Sequence, residues 1–135
     1  MSGPVEEVLD AARSALQGYV DVTTDDDGSL SFLHSGVPCA VQAVELAPGL
    51  VVLSMTCVLG WDLAPGPDLD AQVARLGSLV QFGGLGVVQR DTTADVTLRY
   101  AFPAAGLAAD ALATLLLLVV SGAGRTATQL GGGHG

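Results

Sequence analysis

The sequence predicts an α+β fold: a helix, a three-strand antiparallel meander, a second helix, a two-strand hairpin and a last helix, with one antiparallel sheet packed against the helices. Three observations predict it. Between Gly28 and Gly60 the only ionised side chain is Glu45, and apolar residues alternate there at the two-residue period of half-buried strands. Around residues 5–19 and 69–80 apolar residues instead recur at helical spacing. Glycine, proline and aspartate cluster where one period gives way to the next. At 135 residues with 50% hydrophobic side chains, the chain can build one cored domain, expected over residues 1–130, with a disordered tail at 131–135.

Ser2-Gly3-Pro4 followed by Glu6 and Glu7 opens the first helix. Proline is harmless in a first turn, and acids favour the positive end of the dipole. Val5, Val8, Leu9, Ala12, Leu16 and Tyr19 share one face of a helix expected to end near Val20. Asp25-Asp26-Asp27-Gly28 turns into a strand at about Ser29–Leu33, and Ser35-Gly36 turns into the next. Val37, Cys39, Val41 and Ala43 line one face of the second strand; Val51, Leu53, Met55, Cys57 and Leu59 line one face of the third. A three-residue loop, Ala47–Gly49, would pair Leu46 with Leu50, Met55 with Val41, and Cys57 with Cys39. A one-residue slip would set an apolar row against a half-polar one.

Gly60–Pro67 reads as a loop, with Asp68 capping a helix that points Leu69, Val73, Leu76 and Val80 inward until Gly83-Gly84 ends it. Strand four is expected near Leu85–Arg90. A polar turn runs through Asp91–Asp95. Strand five carries Val96, Leu98, Tyr100 and Phe102 on one face. The last helix is expected at about Leu107–Ser121, and its all-apolar run Leu115–Val120 implies cover on more than one side.

Composition narrows the function. Fourteen acids, five arginines and no lysine give a net charge of −9, which argues against nucleic acid as a partner, since phosphate binding relies on clustered Lys and Arg. The acid either keeps a greasy domain soluble or attracts a basic polypeptide. Mean hydropathy is +0.52, yet the run Ala111–Gly124 is shorter than the ~20 residues that span a bilayer, so no membrane span is expected. The opening residues do not resemble a secretory signal, and a cytoplasmic location is the expectation.

No arrangement of residues announces catalysis, a cofactor or a metal. Cys39 and Cys57 lack a Cys-x-x-Cys spacing, and His34 cannot complete a zinc site. In a reducing compartment they read as buried and reduced, with disulfide formation left open. The aspartates at 25–27 lack the ligand spacing of a calcium loop. Gly83, Gly84 and Gly86 follow a helix, the reverse of a phosphate cradle. Trp61 is either a structural anchor or an exposed contact. The second face of the meander is too polar for a core and too apolar for plain solvent. Val44, Leu46, Leu50 and Val52, with Trp61, are therefore the candidate partner-binding residues.

The element order, with Asp27-Gly28-Ser29-Leu30-Ser31-Phe32, Val37 to Val44, the Pro48-Gly49 hairpin, Leu76 to Arg99 and Phe102-Pro103 leading to Gly106-Leu107, resembles the type III secretion chaperone-like fold and its YbjN-like relatives. That resemblance implies a non-enzymatic α+β module, often a homodimer, that binds an extended segment of a protein or peptide partner or regulates it. It brings no cofactor. Dimerisation would use the middle helix or the mixed sheet face. The alternative from a different class is a structural subunit that co-folds with a fixed protein partner; a small-ligand carrier or enzyme is the third.

Overall fold

A computed structural model describes residues 3–130; the tail at 131–135 lies outside the described residues. The order is α1 (Pro4–Gln17), β1 (Thr23–Thr24), β2 (Leu30–His34), β3 (Val37–Ala47), β4 (Leu50–Leu63), α2 (Pro67–Gly77), β5 (Gly84–Gln89), β6 (Ala94–Pro103) and α3 (Ala109–Gln129). One antiparallel sheet holds all six strands in the order β1-β2-β3-β4-β6-β5. The expected α+β class is what the chain adopts, with the two-residue β1 added at the meander's outer edge.

Parity along β4 builds the core. Val51, Leu53, Met55, Cys57 and Leu59 are buried, while Val52, Ser54, Thr56 and Val58 between them are only partly covered. The buried row meets Val37, Cys39 and Val41 on β3 and Leu98 on β6, and over it lie Val8, Ala12 and Leu16 of α1 and Leu112, Leu116 and Val119 of α3. Complete burial of a side chain such as Leu53 or Met55 contributes about 1.5–3 kcal/mol, so this row sets the register. Cys39 pairs with Cys57 and Val41 with Met55, as parity requires.

The hairpin closes differently. Ala47, not Leu46, pairs with Leu50, and the register shifts between Glu45 and Ala47, leaving Leu46 as an extra residue. The turn is therefore Pro48-Gly49, with Gly49 at φ +80°. Two-residue hairpins favour primed turns that need positive φ at the first central residue, which proline cannot adopt. The bulge at Leu46 takes up the resulting twist mismatch.

Several boundaries also move. α1 stops at Gln17, so Tyr19 lies beyond it and is exposed. Residues 60–63 are strand, not loop: β4 continues past two register shifts, with Asp62 at φ +57°. There Asp95 accepts the Asp62 N–H at 3.2 Å and Arg90 Nε at 2.8 Å. That places Asp95 in β6 and not in the preceding turn. α2 begins at Pro67 with Gly66 as its cap, so Asp68 sits inside the first turn, where an acid still favours the dipole. The helix ends at Gly77, leaving Val80 packed on the core from a loop.

α3 runs eight residues past the expected end, through Gly122 and Gly124, to Gln129. A Cβ at Gly124 would lie 3.9 Å from His34, an ordinary contact, so the helix passes close to the end of β2 there. α3 is long and apolar enough to cross a membrane by length and composition; here its buried stripe packs on α1 and the sheet. Across Leu115–Val120 the cover is incomplete: Leu116, Val119 and Val120 are buried and Leu115 and Leu117 partly covered, but Leu118 remains 43% exposed.

Candidate functional site: an open sheet face and an unpaired edge

All three helices pack on the side of the sheet that carries Leu53 and Met55. Among the described residues no helix packs on the other side, where Thr97 and Asp95 of β6 are nonetheless buried. Cross-strand partners share a face, so the register places Leu33 and Pro38, Ala40, Gln42 and Val44, Val52, Ser54, Thr56 and Val58, and Arg99 and Ala101 together on it. These positions are exposed or partly covered. Short side chains with a few β-branched ones leave this surface low, mixed and uncharged apart from Arg99 and Asp95.

The candidate residues divide. Val44 stands directly opposite Val52, and Leu46 and Leu50 follow at the hairpin end. Val44, Leu46 and Leu50 are exposed at 52%, 65% and 41%, an apolar cluster that the fold does not use internally. Trp61 does not join them. It is half-buried near the far end of β4, nine residues from Val52 and about 30 Å away at ~3.3 Å per strand residue.

Beside this cluster, pairing between β2 and β3 stops at Leu30 and Val41. Before Leu30 the chain turns away through Asp25–Ser29, where Ser29 donates its N–H to Asp27 Oδ1 at 3.0 Å and its hydroxyl at 2.6 Å. These bonds hold the exposed Asp27 carboxyl below its usual value. Residues Gln42 to Glu45 consequently pair with β4 on one side and, among the described residues, with no strand on the other, and the bulged Leu46 follows them. A groove of about 460 Å³ lies along this edge, walled by Val5, Leu9 and Arg13 of α1 and floored by Leu30 and Ala43. An extended chain could add to such an edge through its backbone while its side chains reach the groove and the open face.

The reactive side chains are placed elsewhere. Cys39 and Cys57 are free, buried and opposed on the helix-covered face. The hydrogen bond with Cys39, and then burial, push the Cys57 thiol strongly up, so it remains protonated. Among the described residues no group of three or more His, Cys, Asp or Glu is placed to hold a metal ion. Sequence parity found the cluster at Val44; it could not find the unpaired edge, because that depends on which strands become neighbours. The chain matches no family model, and no curated protein matches its sequence.

Proposed function

We propose that the protein is a non-enzymatic protein-binding module, comparable in role to secretion chaperones or YbjN-like regulators, that holds an extended segment of a partner protein. The observation that carries this reading is the unpaired β3 edge at Gln42–Leu46 beside exposed Val44, Leu46 and Leu50. Backbone pairing supplies affinity without demanding a sequence, and alternate side chains supply selection. An exposed apolar edge left empty would invite aggregation, and occupation by a partner removes that hazard. Homodimerisation and a cytoplasmic location belong to the same reading.

The test is affinity capture from the source cell at low salt, followed by binding of a synthetic peptide from the captured protein. With both Val44→Asp and Leu46→Asp, peptide affinity should fall at least ~10-fold while the circular dichroism spectrum is unchanged, since both side chains are exposed. Unchanged affinity in a folded double variant overturns the site. The co-folding subunit is favoured by exposed Leu79 and Leu118 flanking a second groove with Phe82; a chain that stays aggregated until its partner is co-expressed would select that alternative.

A further inference from the structure

We infer that the segment received on the open sheet face carries a carboxylate that pairs with Arg99, set among small apolar or β-branched residues. This rests on the reading that the face binds a partner segment. The net charge of −9 would suggest a basic partner, but the charge of this face differs from that of the whole molecule. Arg99 is exposed on β6, one strand in from the β5 edge, opposite Thr56 on β4 and Gly84 on β5, with Thr97 and Ala101 two residues away on its own strand. None of these can neutralise it. The ion pairs among the described residues are Arg13–Asp10 and Arg90–Asp95, and neither involves Arg99.

Asp95 is the face's other charge, and it is already engaged with Arg90 and the Asp62 N–H. Any occupant that covers the face must therefore desolvate a bare guanidinium or bring it an acceptor. The first is costly; the second forms a charge-assisted, two-pronged hydrogen bond with strict geometry. A second copy of this chain docked face to face would bring another Arg99 and no unengaged carboxylate. The occupant that fits is a different chain, apolar where it meets Val52, Val58 and Ala101, with one Asp or Glu placed over Arg99.

Panning a phage-displayed nonapeptide library against the full chain, and separately against Arg99→Glu, tests this. The native chain should enrich peptides with a single acid between apolar residues, and Arg99→Glu should exchange that acid for Lys or Arg. Replacing Glu by Gln in the best peptide should weaken binding to the native chain ~10-fold or more, yet leave binding to Arg99→Gln unchanged. Peptides that bind, compete with one another and show no acidic preference overturn the pairing while the binding function stands. If no peptide is enriched, or those enriched bind Val44→Asp/Leu46→Asp and Arg99→Gln as well as the native chain, both readings fall.

Discussion

At the scale of single residues, two aspartates do different work with the same chemistry. Asp95 sits in β6 and ties Arg90 to the kinked end of β4. Asp27 organises the turn that takes the chain away from β3, accepting two bonds from Ser29. Because those bonds hold its folded pKa below the usual 3.8, its contribution to stability is present above that value and disappears as pH falls through the folded pKa. Asp27→Asn should therefore lower the urea midpoint at neutral pH and lower it less in acid, as the native carboxyl takes up its proton. An equal loss at both pH values would mean that shape, and not charge, holds the turn.

At the scale of elements, neighbouring glycines separate necessity from tolerance. Gly83 has φ +93°, and a Cβ there would lie 2.6 Å from the Arg99 carbonyl oxygen. At Gly84 a Cβ would meet nothing within 4 Å, and its φ is not positive. Gly83→Ala should cost ~2–3 kcal/mol in denaturant unfolding, whereas Gly84→Ala should be neutral or stabilise by ~0.4–1 kcal/mol. Equal effects at the two positions would contradict this path into β5. Legibility followed the same division between local and distant causes. The Cys39–Cys57 pairing was readable because parity and burial are local to two strands. Continuation of β4 to Leu63 was not, because Gly60 reads as a stop unless Asp95, thirty-three residues away from Asp62, is known to catch the chain. The end of α3 was hidden likewise: Gly122 and Gly124 read as terminators, yet the helix continues through both to Gln129.

At the scale of the whole molecule, one sheet face is core and the other is surface, so side chains one residue apart belong to different energetic regimes. Along β4, Leu53→Ala and Met55→Ala should each cost ~2–5 kcal/mol. Ser54→Ala and Thr56→Ala should stay within ~1 kcal/mol. A smooth gradient in urea unfolding, without that alternation, would mean that the second face is also covered. The sequence exposed this two-sidedness through the mixed composition of Val44, Val52, Ser54 and Thr56. It did not separate Trp61 from them, though Trp61 lies nine residues further along β4 than Val52.

The strand order has one further consequence, in time. β4 binds β3 at once but waits for β6, with α2 and β5 made in between. From the end of β4 to the end of β6 is some forty residues, or roughly 2–8 s at ribosomal rates of about 5–20 residues per second. For that interval the nascent chain carries its most apolar strand with one flank unzipped. Protein production, more than the finished fold, is where this chain is most vulnerable to the ribosome's crowded surroundings.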